Sequence, residues 1–270
     1  MPELPEVEVT RQGIEPHLVG RTIECVVVRQ RQLRFPVPTL LNRRLPGQTI
    51  NAVRRRAKYL LVDMPAGTLI IHLGMSGSLR VLTTATPPQK HDHFDLVCNG
   101  VTLRLNDPRR FGAVLWQTAD AAPSSVLMNL GLEPLTSAFT GAYFWGQTPK
   151  RRVPIKNLLL AGDVVVGVGN IYASECLFRA GIHPARAANR ISQARYGRLV
   201  AEIKAVLKEA IEAGGSTLRD FVDSAGEAGY FQQSHRVYGR EGLPCLQCGS
   251  AIRAIRQGQR STFYCPHCQR

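Results

Sequence analysis

Two places in this 270-residue chain combine residue types that do chemistry. One lies near the C-terminal end. Cys245 and Cys248 form one CxxC pair, Cys265 and Cys268 form a second, and 16 residues separate the pairs. Each pair can supply two thiolates to one side of a tetrahedron, and a hairpin between them brings the two sides together. His267 lies inside the second pair and could compete as a ligand, but four cysteines already close the site. A closed four-thiolate site has no open coordination position. The expected metal, one structural Zn2+ per chain, therefore shapes the protein and takes no part in catalysis. A pair of disulfides is the alternative, and it does not suit a chain without a secretory leader.

The other place is the start, MPELPEVE. A small second residue, Pro2, normally lets the initiator Met be removed, leaving a secondary amine. An α-amino group has a pKa of roughly 7.7–8.0, so part of it is neutral near pH 7. The positive end of a following helix would disfavour its protonated form further. Such amines attack carbonyl carbon and form Schiff bases, and a secondary amine gives an iminium ion directly. Glu3 beside it could accept and donate protons. Pro2 and Pro5 could instead merely set the entry to a helix. On the residues alone both readings stay open, but only the nucleophile requires the terminal position.

The elements that must position these residues follow from hydrophobic period. Residues 2–18 read as a helix with Val7, Arg11, Ile14 and Leu18 on one face, Pro5 in the first turn, and Pro16 as a possible early end. Gly20 then acts as a stop. The stretches ECVVVRQ, INAVRRRAKYLLVDM, TLIIHLGM, GSLRVLTT and RRFGAVLWQT read as strands. HFDLVCNGVTLRLND reads as two strands joined by Asn99-Gly100. After a looser stretch at residues 118–136 come helices: a short one opened by Pro154, and a long one capped by Ser192 and ended by Gly214-Gly215. The expected fold is α+β and multidomain. It comprises an N-terminal β-sandwich or barrel with a leading helix (residues 1–133), a helical domain (134–234) and a zinc-ribbon hairpin (235–270).

Composition narrows the partners. The hydrophobic share of 44% suits a globular chain, and the net charge of +14 with a pI near 10.0 points to a polyanion. The basic residues are scattered through mixed sequence, which favours nucleic acid over a membrane surface. No apolar run approaches the roughly 18 residues of a membrane helix, and the acidic start is unlike a signal peptide. An intracellular, cytoplasmic protein is expected. Cys25, Cys98 and Cys176 stand singly among apolar residues and are expected to be buried.

Several weaker signals fit a nucleic-acid partner. GVGNIYASE is a glycine-rich turn running into a helix over residues 171–180, whose free N–H groups and Asn170 could hold a phosphate. KHDHFD places His91 and His93 before a strand, for phosphate contact or plain exposure. DPRRFG puts Arg109, Arg110 and Phe111 in a turn, an arrangement suited to wedging into a base stack. Taken alone, Phe111 reads better as core, and Met75 in HLGMSG is equally ambiguous. Lys58 could be one more solvated charge. Arg260 would sit at the tip of the zinc hairpin.

MPELPEVE, RRAKYLL, IHLGMSGSLR, KHDHFD, DPRRFGA, VVGVGNIYASE, AGIHP and CLQC…FYCPHC, in this order, resemble the bacterial formamidopyrimidine-DNA glycosylases. These are also called 8-oxoguanine DNA glycosylase/AP lyases. The resemblance spans nearly the whole chain. Leu4 stands where the related endonuclease VIII usually has Gly, which favours the formamidopyrimidine branch. The resemblance implies a helical domain of the helix–two-turn–helix kind. It also implies a glycosylase that removes oxidised purines from duplex DNA and then cuts the strand by β,δ-elimination. Nothing in the sequence indicates an oligomer, and a monomer is expected. Pro2 would attack C1′ and Glu3 would relay protons. Lys58 would assist elimination and hold a phosphate, and Arg260 would contact phosphates and support δ-elimination. Met75, Arg109 and Phe111 would fill the gap left by an extruded nucleotide. His91, Arg151, Lys156 and Asn170 would hold the DNA backbone.

Residues 224–231, SAGEAGYF, depart from the family pattern: Ala225 stands for an acid and Ala228 for a proline in a lid over the extruded base. Two other readings remain at this level, a glycosylase for oxidised pyrimidines of the endonuclease VIII type and a zinc-ribbon DNA-binding module without catalysis.

Overall fold

The computed structural model describes residues 2–122, 124–215 and 235–270. The unusual stretch 224–231 lies outside them. The described residues form two compact units, one from residues 2–128 and 213–215, the other from 129–212 and 235–270.

The first unit opens with helix α1 (Leu4–Leu18). Pro5 sits in its first turn, and the Glu6 carboxylate reaches back to accept from the Glu3 backbone N–H at 2.8 Å. These contacts satisfy donors that a helix start leaves open. Leu4, Val7, Ile14 and Leu18 are buried, while Arg11 lies at the edge of that stripe, paired with Glu8 and Glu15 at 2.8 and 2.6 Å. Pro16 does not end the helix. The hydrogen bond it forgoes, to Gln12, belongs to the last turn, where both residues are exposed.

Strands β1 (Ile23–Val28), β5 (Ser78–Leu82), β6 (Asp92–Cys98) and β7 (Val101–Asn106) make one antiparallel sheet in the order β1-β6-β7-β5. Strands β2 (Ala52–Arg56), β3 (Tyr59–Met64), β4 (Gly67–His72) and β8 (Ala113–Thr118) make the other, in the order β2-β3-β4-β8. Inward residues of both sheets, among them Val53, Leu60, Ile71, Phe94, Leu103 and Val114, share one core with Val7, Ile14 and Leu18 of α1. This is the expected sandwich. Short helices α2 (Leu41–Arg44) and α3 (Ser125–Met128) flank it. Asn99-Gly100 joins β6 to β7 as its sequence suggests.

Two expectations change. INAVRRRAKYLLVDM is not one run but a hairpin: Arg56 pairs with Tyr59, leaving Ala57-Lys58 as a two-residue turn. Cys25 is exposed, although Cys98 and Cys176 are buried. A bulge between Ile23 and Cys25 adds a residue to β1, so the alternation breaks and Glu24 and Cys25 both face out.

The second unit contains α4 (Gly141–Gly146), α5 (Ile155–Ala161), α6 (Asn170–Arg179) and α7 (Gln193–Glu212). Ser192 caps α7, its Oγ accepting from the Arg195 N–H at 3.4 Å. Phe144 links Phe139 and Tyr196 in a run of rings at 5.5 and 4.7 Å. Burial pushes the Tyr196 phenol up to about 12, and its hydroxyl donates to Ala188 O at 2.9 Å. The chain closes with a hairpin of β9 (Arg253–Gln257) and β10 (Arg260–Tyr264).

The sheet β1-β6-β7-β5 carries a buried ionic network. Arg104 grips Asp95 with two bonds of 2.9 and 2.8 Å, and Arg29 adds a third at 2.6 Å. Arg80 and Asn106 reach Asp92 at 2.6 and 2.8 Å. Burial alone would raise the Asp95 carboxyl, but its bonds to Arg104 and Arg29 outweigh this and hold it below the usual range. Asp95→Asn keeps the shape and removes the charge. The expected loss is about 3 kcal/mol of unfolding free energy at pH 7, as when one partner of a buried pair is removed. Because the folded pKa lies below the unfolded one, the ionic contribution is complete above about pH 4 and fades as the pH falls through the folded value. Urea midpoints of the two proteins should therefore differ at pH 7 and converge in acid. Equal midpoints at pH 7 would show that the network carries no stability.

Candidate active site

In the first unit the chemistry gathers at the start of α1 and at turns between strands. Pro2 is buried at the head of the helix, and Glu3 and Glu6 beside it are 2% and 1% exposed. Lys58 is half-buried on the β2–β3 turn, following Ala57, whose φ is +53°. A two-residue hairpin with positive φ at its first position normally takes glycine there. Arg55 spans the gap to α1: its Nε donates to Glu8 at 2.8 Å and its Nη1 to the Ala57 carbonyl at 3.0 Å. Helix α1, which Pro2 precedes, and the turn that carries Lys58 are thereby tied to one guanidinium.

His72 was not singled out from the sequence, where a lone histidine ending an apolar strand gives no signal. It packs against the Tyr59 ring at 4.8 Å, and its Nδ1 accepts from Gly74 N–H at 2.9 Å. Burial, then the positive charges of Arg34 and Lys58, push it down to about 4, so at neutral pH it is uncharged with its proton on Nε2. A cavity of about 410 Å³ is lined by Arg34, His72, Gly74, Met75 and Phe111.

Phe111 is not core. It is 46% exposed and Met75 is 37% exposed, and the Arg109 guanidinium lies 5.0 Å from the Phe111 ring centre, a cation–π distance. The two histidines of KHDHFD separate. His93 is buried with Nε2 against Asp107 O at 2.9 Å, and His91 is half-buried.

In the second unit Asn170 opens α6 behind Gly169, which has extended backbone. Its Nδ2 donates to Ser261 O at 3.0 Å, and its Oδ1 is buried without a partner. Lys156 is fully buried, and Nζ donates to Ser261 O at 3.2 Å and to Thr262 Oγ1 at 2.8 Å. Arg151 is half-buried and paired with Asp163 at 2.6 Å. Arg260 is exposed, next to the Gly258-Gln259 turn. Glu175 of α6, another residue the sequence reading did not single out, accepts three backbone N–H bonds, from Arg236, Val237 and Tyr238 at 2.9–3.0 Å, and so anchors the chain entering the ribbon.

The four thiols of Cys245, Cys248, Cys265 and Cys268 lie within 4.8 Å of one another, with pairs at 3.9 and 3.4 Å. Tetrahedral zinc with bonds of about 2.3 Å sets sulfur–sulfur edges of about 3.8 Å, whereas a disulfide sits near 2.0 Å. The donor set and its spacing fit zinc.

Comparison with known proteins accounts for nearly every element. Residues 1–114 match the formamidopyrimidine-DNA glycosylase N-terminal domain, 130–222 the H2TH domain of the same proteins, and 242–270 a zinc finger found in them and in isoleucyl-tRNA synthetases. A formamidopyrimidine-DNA glycosylase of Herminiimonas arsenicoxydans is 55% identical over 273 residues, covering all of both chains. The MutM (Fpg) structure of Thermus thermophilus superposes with a TM-score of 0.90 at 40% identity, over 99% of this chain and 98% of that one. A Lactococcus lactis Fpg variant in complex with DNA containing Fapy-dG gives 0.92 at 34% identity, over the full length of both. The chain belongs to the formamidopyrimidine-DNA glycosylase family.

Proposed function

We propose that this chain is a bifunctional base-excision enzyme that removes oxidised purines, 8-oxoguanine and formamidopyrimidines, from double-stranded DNA and then cleaves the strand. The observation that carries this reading is the start of α1, where Pro2 heads a helix seated in the sandwich core with buried Glu3 beside it. A chain-terminal amine beside a carboxyl group is what Schiff-base chemistry at a sugar carbon needs.

A base inside a duplex shields C1′, so the nucleotide must first leave the stack, at a cost of a few kcal/mol. Met75, Arg109 and Phe111 fill the gap, offsetting that cost. Once Met1 is removed, the Pro2 nitrogen attacks C1′ and the C1′–base bond breaks. Ring opening gives the iminium, with Glu3 moving protons at the sugar. Loss of the C2′ proton then expels the 3′-phosphate, and a second elimination expels the 5′-phosphate. Lys58 supports the first elimination and holds a phosphate, and Arg260 supports the second. His91, Arg151, Lys156 and Asn170 form the backbone-holding set. For Lys156 the support runs through the ribbon, because its amine is bonded to β10. The three functional parts are taken as residues 1–133, 134–234 and 235–270. We further place the enzyme in the bacterial cytoplasm on chromosomal DNA, acting as a monomer.

One structural Zn2+ per chain, held by Cys245, Cys248, Cys265 and Cys268, fixes the ribbon and hence Arg260. With all four positions taken by thiolates it offers no site for substrate.

Three outcomes are expected. Borohydride added during reaction with a duplex bearing 8-oxoguanine opposite cytosine should yield a covalent adduct whose peptide map ends at Pro2. Chain that retains Met1 should give none while still binding DNA, and an adduct from retained-Met1 chain would remove Pro2 from the chemistry. Metal analysis of the purified protein should give one zinc per chain. Its removal by a strong chelator should cost incision and DNA affinity together, since zinc contributes about 10–16 kcal/mol to such folds. Incision that survives full zinc loss would refute the structural role. Finally, a plot of log affinity against log salt should fall with a slope of about −3 or steeper, near −0.9 per phosphate neutralised. A flat plot would mean that the +14 charge is not spent on the DNA backbone.

A further inference from the structure

Asp107 is fully buried at the end of β7. Both its carboxylate oxygens are committed. Oδ1 accepts from the Ser76 hydroxyl at 2.9 Å, and Oδ2 accepts from the Gly112 N–H at 2.7 Å. Its carbonyl accepts from Arg110 N–H at 3.2 Å and faces the His93 ring nitrogen at 2.9 Å. Ser76 closes the circuit, because its oxygen also accepts from the Arg109 N–H at 3.2 Å. One carboxylate thus bonds the turn that carries Met75 and the loop that carries Arg109 and Phe111.

The two loops also touch backbone to backbone. A Cβ added to Gly74 would sit 2.4 Å from both Phe111 C and Gly112 N, and one added to Gly112 would sit 2.9 Å from the Asp107 carboxylate. No side chain fits at either position, so the loops press together at a distance only glycine permits. Arg110 holds a φ of +56° between Arg109 and Phe111. The side chains of Met75, Arg109 and Phe111 are exposed while everything under them is buried: Gly74, Ser76, Gly77, Asp107 and Gly112.

We propose that Asp107, through Ser76 and Gly112, is the positioning residue that holds the wedge of Met75, Arg109 and Phe111 ready to enter the duplex before DNA arrives. The inference rests on the wedge role given above for those three residues. A wedge that must order on binding would lose the ordering free energy of two loops, and one already rigid does not. Misplacing a group by about 1 Å commonly costs about 100-fold in rate. The effect belongs to extrusion and leaves the amine chemistry alone.

The test uses the full chain and two DNA substrates. One is a duplex with 8-oxoguanine opposite cytosine and a fluorescent base analogue beside it, which reports extrusion. The other is a single strand with a preformed abasic site, which needs none. Asp107→Asn keeps the size but puts an amide where two donors point. It should slow extrusion and duplex excision by roughly 10- to 100-fold, while cleavage of the single-stranded abasic site stays within about twofold. Setting the lesion in a short unpaired bulge should restore excision. Ser76→Ala, a gentler change, should act in the same direction, and it decides the matter if Asp107→Asn does not fold. Phe111→Ala is the reference. If Phe111→Ala slows extrusion and neither Asp107→Asn nor Ser76→Ala does, the inference is wrong and the wedge stands. If the two positioning variants slow single-stranded cleavage as much as duplex excision, Asp107 serves general folding and the inference again fails. If Phe111→Ala leaves extrusion unchanged, the wedge reading itself falls.

Discussion

A nucleophile at a chain terminus is bonded to the protein on one side only, and the chemistry proposed here depends on how that one side is held. The holding interaction is the burial of α1 in the sandwich. Leu4, Val7, Ile14 and Leu18 are each at most 1% exposed, so the helix cannot slide or turn without exposing several side chains at once. Rigidity at the far end of a helix is useless if its first turn frays. Here Pro5 restricts the chain and the Glu6 carboxylate engages the Glu3 N–H. The bridge from Glu8 through Arg55 to the Ala57 carbonyl then sets the Lys58 turn against that helix.

The ribbon poses the opposite problem, since its own core is too small to fold alone. Val237, Cys245, Ile252 and Cys265 contribute most of it, with Phe178 of α6 packed against them. Such a small apolar cluster needs a metal or tethers. The tethers are polar and buried: Glu175 gathers three N–H groups, Gln269 bonds Cys265 N–H and Ile182 O at 2.8 and 2.9 Å, and Lys156 and Asn170 share the Ser261 carbonyl. A buried ammonium costs free energy unless its hydrogens are used. Lys156 therefore acts as a strut under β10, and the residue it steadies from below is the neighbour of Arg260.

What could be read from the sequence was whatever local pattern dictates. The CxxC spacing, the Asn99-Gly100 hairpin, the Ser192 cap and the alternating strands each express their structure within a few residues. What could not be read depends on partners distant in the chain. Lys156 looks like any solvated lysine until β10 covers it, and Phe111 looks like core until the Asp107 loop lifts it out. Cys25 is turned outward by one bulge residue. His72 is held neutral by its burial and, after that, by the charges of Arg34 and Lys58, which lie 38 and 14 positions before it. The Ala57-Lys58 turn was hidden because its positive φ falls on alanine, which carries no turn signal.

That last case generalises. Among the described residues only three that are not glycine have positive φ: Ala57, Arg110 and Gln259. Each adjoins a residue assigned to the site. Ala57 precedes Lys58, Arg110 separates Arg109 from Phe111, and Gln259 precedes Arg260. A left-handed L-residue costs about 1–2 kcal/mol relative to ordinary backbone, and it persists only where surrounding contacts over-determine it. Those contacts are visible: the Arg55 bond to the Ala57 carbonyl, the Asp107 bond from Arg110 N–H, and the paired ladder of β9 and β10 behind Gln259. Each turn thus adjoins a residue to which the proposed function gives a phosphate or base-stack contact: Lys58, Arg109 with Phe111, and Arg260. Among the described residues, the non-glycine backbone strain therefore lies beside residues that the proposed function uses, and it is held by bonds from the elements that flank each turn.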